Sequence, residues 1–253
     1  MTTIRIHNKR FAALLGLFLL GVGATKAYAA PTDKTNWKDQ LADVSVGLTS
    51  ASPTDVEVSI AATADTTYKV KTAKGLAWIA RITNSKDSVY KADGKGYLPL
   101  YPHQQGFKNC TVKLGDNDIN LTDHYWTPIG KTSSTPFNGT FDGNYKVVKK
   151  LKIDIEDTNI ASYIYAGLFG YLQGDVHDLG IQVDEAGIKG KSQFVYAGAL
   201  AGYNKGVIQN CFAIGESNAV IDAESISSES LGGLIGDNSG GSITNCYATL
   251  NIK

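Results

Sequence analysis

Hydrolysis of a glycosidic bond needs two carboxyl groups at a set separation, and a glycan lyase needs a strong base beside calcium or another cation. Asp142, Asp154 and Glu156 fall in or near the first coils, where a pair of acids would raise that chemistry. Asp154 and Glu156 alternate with Leu151, Ile153 and Ile155, which places them on the outer face of a strand, and Asp142 sits in a Gly-flanked turn. Solvated carboxylates are therefore expected rather than a catalytic pair. Asp116, Asp118 and Asn120 match the first three ligand positions of a calcium loop. Leu121 then stands where the turning glycine belongs, and Thr127 where the closing glutamate belongs, so these read as turn residues. Lys146, Lys149, Lys150 and Lys152 form a basic cluster of the kind that attracts anionic glycans, and most read as the solvated face of a strand. His103, His124 and His177 are scattered, and no Cys or His spacing resembles a zinc site. No catalytic residue, metal or cofactor is expected.

Binding character is concentrated in residues 84–106. Tyr90, Tyr97 and Tyr101 lie on a segment bent by Gly94 and Gly96 and stiffened by Pro99 and Pro102, with His103 close behind. Tyrosines on a loop offer flat faces to sugar rings or to a protein partner. Tyr90, Tyr97, Tyr101 and His103 are the ligand-binding candidates; the alternative is that they pack the loop onto the body of the protein.

Composition sets the class around these residues. Lys plus Arg equals Asp plus Glu at 24 each, which excludes a nucleic-acid binder driven by bulk positive charge. A hydrophobic fraction of 43% is too high for a disordered chain. Residues 1–10 carry Arg5, Lys9 and Arg10 without an acid, Phe11 to Ala24 are apolar, and Ala27-Tyr28-Ala29 suits signal peptidase. An exported protein cleaved near Ala29 is expected, extracellular or on the outer cell surface. It has no transmembrane span after cleavage and keeps 20 basic and 24 acidic groups. Cys110, Cys211 and Cys246 are odd in number, each follows Asn, and they read as small buried apolar residues.

The second half repeats. Ala166-Gly-Leu-Phe-Gly170, Gly198-Ala-Leu-Ala-Gly202 and Gly232-Gly-Leu-Ile-Gly236 are each followed by a short turn. Then come Val176-His-Asp-Leu179, Ile208-Gln-Asn-Cys211 and Ile243-Thr-Asn-Cys246. Val148-Lys-Lys-Leu151 reads as a degenerate fourth copy, with Leu151 equivalent to Leu179. The segments are short, Gly-rich and alternate with period two, so the repeats predict a solenoid of strands. Asp178, Asn210 and Asn245 fall where the inward parity switches, a corner at which stacked polar side chains can form a ladder. The fold class is all-β: a right-handed parallel β-helix with a short N-terminal capping helix.

Gly232-Gly-Leu-Ile-Gly-Asp-Asn through Ile243-Thr-Asn-Cys-Tyr-Ala248, and its counterpart over 198–213, resemble GLUG repeats. These occur in bacterial surface proteins, including adhesin-like proteins and the non-catalytic part of immunoglobulin A peptidases. Trp126-Thr-Pro-Ile-Gly130 and Phe137-Asn-Gly-Thr-Phe-Asp-Gly-Asn144 resemble the segment that precedes such repeats, and Thr72-Ala-Lys-Gly-Leu-Ala-Trp-Ile-Ala80 the short helix of that setting. The resemblance covers about residues 68–250 and departs from the pattern in the longer stretch at 84–106 and the single glycine of Asp142-Gly-Asn-Tyr. It implies a scaffold rather than a reaction.

Thr72 can cap that helix, and Leu76, Ile79, Ala80 and Thr83 share one face, suited to covering the first coil. The chain divides into a signal peptide (1–29), a strand segment (30–66), the cap helix with the inserted loop and first strands (67–127), and the repeats (128–253). The expected function is that of a secreted or cell-surface, adhesin-like binding module without catalysis, its partner a surface glycan or a host protein. A β-helical polysaccharide lyase or glycoside hydrolase is the alternative. No capping element follows the last repeat, so end-to-end self-association or continuation of the array is also expected.

Overall fold

The structure is a computed structural model that describes residues 4–6, 36, 44–46, 55–60, 66–85, 89–91 and 105–253. Chain order gives β1 (Ile4–Ile6), β2 (Val44–Val46), β3 (Val56–Ile60), β4 (Thr66–Val70), α1 (Ala73–Ser85), β5 (Val89–Lys91), β6 (Cys110–Leu114) and β7 (Ile119–Asn120). There follow β8 (Thr140–Glu156), β9 (Tyr163–Ala166), β10 (Phe169–Leu172), β11 (Asp175–Gly198), β12 (Ala201–Asn204), β13 (Val207–Gln209) and β14 (Phe212–Gly215). The last are β15 (Val220–Gly232), β16 (Ile235–Asp237), β17 (Ser242–Thr244), β18 (Tyr247–Thr249) and β19 (Asn251–Ile252).

β4 pairs in parallel with β6, from β6 onward each strand pairs in parallel with its counterpart one coil away, and the stack is a β-solenoid of about 4 turns. Alternation decides which side chains enter the core. Tyr68, Val112, Phe141, Val176 and Ile208 occupy one inward column, each fully buried, with Ile243 next in line. Ile153, Ile188 and Ile221 form another, continued by Ile252. Toward the cap the core is aromatic, with Tyr68, Phe107, Phe137, Phe141 and Phe169 in ring contact in series. The repeat motifs stack in register: Leu168 and Leu200 are fully buried, as are Leu179 and Cys211. Leu234 and Cys246 are only partly buried, and Ile243 and Ile252 expose 43% and 49%. The expectation of full burial fails at this coil because no coil of the described residues lies over it.

The upstream copy sits in a different register from the one its sequence suggests. Leu179 pairs with Lys146, and Leu151 pairs with Val183. Phe141 is the residue aligned with Val176, so the column steps by 35, 32 and 35 residues through Val176, Ile208 and Ile243. Two extra residues between Asp142 and Lys146 displace the apolar pattern, and Asn144 and Tyr145 take them up with φ of 52° and 57°.

The helix forms where expected. Thr72 caps it by accepting the Gly75 N–H at 3.2 Å and donates its own hydroxyl to the Asp55 carboxylate. Leu76, Ile79, Ala80, Ile82 and Thr83 are buried over the first coil, and Trp78 lies 6.2 Å from the Tyr68 ring. Strand β3, antiparallel to β4, packs its Val56 beneath the helix start, where a Cβ on Gly75 would touch Val56 and the Asp55 carbonyl.

Corners are built from residues that tolerate positive φ. Asp178, Asn210 and Asn245 have φ of 55°, 53° and 54°, and their side chains form the expected ladder. Asn245 donates to Asn210 at 3.3 Å, and Asn210 donates to Asp178 at 2.9 Å. Buried Asn204 supplies a second ladder, donating to Asn238 at 2.7 Å while accepting the Gly206 N–H.

Candidate functional site

Tyr97, Tyr101 and His103 lie outside the described residues. Tyr90 is in β5, opposite Arg5 of β1, a strand that cleavage near Ala29 would remove. At the end of the candidate loop, Gln105 helps line an open cavity of about 590 Å³ together with Thr83, Lys108, Ser134, Asn138 and Gln173.

The acids and bases singled out in the sequence are engaged with one another. Asp116 pairs with Lys69 at 3.1 Å; Asp118 pairs with Lys149 at 2.7 Å and accepts the Val147 N–H. The Lys149 hydrogen bond holds the Asp118 carboxyl below its usual range. Asn120 accepts from Thr122, as a turn residue does. Lys150 reaches Glu216 at 2.5 Å and Asp184 at 3.6 Å, and Lys152 donates to the Thr122 carbonyl. Such pairs at a surface contribute little to stability, but they do offset the charges of Lys149 and Lys150.

One constellation unites residues that looked isolated. Asp142, His177 and Asp178 bring ligand-capable atoms within 4.8 Å of one another. His177 Nδ1 is 2.9 Å from Asp178 and 4.0 Å from Asp142. These three are the residues placed to hold a cation. Their remaining carboxylate oxygens already accept from Lys113 at 2.6 Å and from Asn210 at 2.9 Å, so the arrangement is complete as a hydrogen-bonded corner. The Asn210 hydrogen bond, then that of His177, keeps the Asp178 carboxyl below its ordinary pKa. A depressed carboxyl stabilises the fold above the unfolded-state value, about pH 4, and that stability is lost as pH falls through the folded pKa. Asp178→Asn, which the corner accommodates as it does Asn210, is expected to flatten part of the fall in melting temperature between pH 6 and pH 3. An unchanged fall would show that this carboxyl is not coupled to folding.

An aromatic surface feature was not read from the sequence. Tyr163 and Tyr165 of β9 point outward and lie opposite Phe194 and Tyr196 of β11, one coil on. Tyr163 stacks on Phe194 at 4.5 Å and Tyr165 on Tyr196 at 5.4 Å, with planes 13° and 18° from parallel. Tyr171 and Tyr203, paired across β10 and β12, stack at 4.7 Å and meet Tyr165 and Tyr196 edge-on. Six rings thus form one platform across two coils. Tyr163 exposes 48%, Tyr165, Phe194, Tyr196 and Tyr203 are partly exposed, and Tyr171 is buried beneath. Lys205 lies 5.8 Å from both the Tyr171 and Tyr203 ring centres and hydrogen-bonds the Tyr171 hydroxyl, which raises the lysine pKa. Burial pushes the Tyr165 hydroxyl up to about 12, and burial followed by nearby Asp237 raises Tyr196. The signal was present: Tyr-Ile-Tyr-Ala-Gly at 163–167 recurs as Phe-Val-Tyr-Ala-Gly at 194–198.

Fold and surface together define a repeat protein of the β-solenoid class with an aromatic wall. Residues 227–253 match the model of the GLUG motif. The chain is 28% identical over 230 residues to Halomucin from Haloquadratum walsbyi, an alignment covering 85% of this chain and 2% of that protein. The chain therefore spans about 2% of the length of the curated relative it matches. No solved structure matches it. Among the described residues, no helix is long and apolar enough to cross a membrane.

Proposed function

We propose that the chain is an exported, cell-surface binding module, adhesin-like in use, that holds a surface glycan or host protein against its tyrosine platform and catalyses no reaction. The platform carries this reading: four tyrosines and a phenylalanine stand at least partly exposed on an outer wall, with Tyr171 beneath them, and partly exposed rings with polar edges suit recognition. The signal-peptide-like leader and the GLUG and Halomucin similarities support a place outside the cell. The competing lyase or hydrolase reading is weakened by the engagement of Asp142 with Lys113 and of Asp178 with Asn210.

The test is a glycan and matrix-protein array probed with the purified protein, alongside a reducing-sugar assay on whatever it retains. Retention without release of reducing ends is expected, falling at least tenfold in Tyr163→Ala/Tyr196→Ala while the melting temperature moves little. Release of reducing ends, or full retention by the double variant, would overturn the proposal.

A further inference from the structure

The aromatic wall ends in a step. Its rings stack along the solenoid axis, Tyr163 on Phe194 and Tyr165 on Tyr196, so ring faces look toward the next coil. There the register sets Ser228 opposite Phe194 and Ser230 opposite Tyr196. A serine side chain stops at its γ-oxygen, so no ring of that coil continues the stack; Ser228 is exposed and Ser230 partly exposed. Two adjacent ring faces therefore form a riser over a tread of two hydroxyls, and the tread is one strand spacing, about 4.8 Å, deep. Charge narrows the ligand. Between Lys205 and Lys253 the chain has five acids, Asp237 beside Tyr196 among them, and no lysine, arginine or histidine. Lys205 is already committed to the Tyr171 hydroxyl. An anionic sugar would meet the Asp237 carboxylate at that end of the platform.

We propose that this step seats one pyranose ring of a neutral polysaccharide, its C–H face against Phe194 and Tyr196 and its hydroxyls bonded to Ser228 and Ser230. This rests on reading the tyrosine platform as the ligand-contacting surface, and it adds which end of the platform is used and which ligand is taken.

The test is affinity electrophoresis of the full chain through gels containing laminarin, xyloglucan or galactomannan, with alginate and chitosan as the anionic and cationic comparisons. Retardation by at least one neutral polymer, exceeding that by alginate and chitosan, is expected. Ser230→Tyr, which fills the step with a third ring, abolishes that retardation without lowering the melting temperature. Tyr196→Ala weakens it about tenfold or more, equivalent to about 1.4 kcal/mol, and Tyr196→Phe preserves it, since the ring face is the contact. Stronger retardation in Ser230→Tyr would mean that the wall rather than the step binds, and would overturn the proposal. Preference for alginate or chitosan would overturn it too, as would equal losses in Tyr196→Phe and Tyr196→Ala. If neutral polymers are ignored while an arrayed ligand of another class depends on Tyr163 and Tyr196, this inference fails and the binding reading stands. If no ligand of any kind depends on those rings, both fail.

Discussion

Replacing Gly206 with alanine is expected to cost about 3 kcal/mol or more, read as a large drop in the urea or thermal midpoint. A Cβ at Gly206 would lie 1.8 Å from the carbonyl oxygen of Gly174, and one at Gly174 would lie 2.0 Å from that of Gly139. These glycines sit one above another, each immediately before a strand of the inward column, and Gly241 continues the line. The obstacle is backbone, which cannot rotate aside as a side chain does, so the rungs themselves must part. Gly233→Ala is the comparison: its nearest neighbour, the Ala248 Cβ, is 3.0 Å away and sits on the partly open last coil. If Gly206→Ala melted like the parent, the coils would have slack that the close approach denies.

Leu200→Ala should cost about 2–5 kcal/mol, the range for deleting a fully buried leucine. Leu200 lies between Leu168 of the coil before and Leu234 of the coil after, so the cavity opens inside the stack where neither neighbour can move without breaking its own rung. Leu234→Ala removes the same atoms from a partly covered position and should cost less than half as much. Equal costs by urea titration would mean that the last coil is covered as well as the middle one. In a stack whose repeats touch only their neighbours, that difference measures one interface directly.

Much of this architecture was legible because a solenoid repeats its local rules. The Gly-x-Leu-x-Gly segments, the Asn-Cys corners and the amphipathic helix each announce a backbone requirement or a buried face within a few residues. The register of the first copy was not legible. Gly143, Asn144 and Tyr145 stand where the next coil has only Asp178, and apolar residues alternate on both sides of that insertion, so Leu151 mimics Leu179. Side chains that meet across coils were the other gap. Asp142 and His177 are 35 residues apart and become neighbours only once strands β8 and β11 are aligned. Tyr163 and Phe194 come from different coils in the same way, and the third coil offers serine, so the pattern has too few members to stand out.

The unequal steps along the inward column have a consequence for how such a chain can change. Between β8 and β11 the pairing jumps from Val183 to Ile188 while its partner moves only from Leu151 to Ile153. Between β11 and β15 it jumps from Ser225 to Ser228 against Ser192 to Phe194. In each case surplus residues are extruded at the perimeter and the ladder resumes in phase. Lengthening such a bulge adds a loop-closure cost that grows only as the logarithm of its length, about 0.6 kcal/mol per doubling. Ile226 and Ser227, both exposed at the second jump and just before the serine step, are thus a graft site. A peptide inserted there would diversify what stands beside the aromatic wall while leaving the stacked coils in phase, so new specificities can be tried by insertion without redesigning the scaffold.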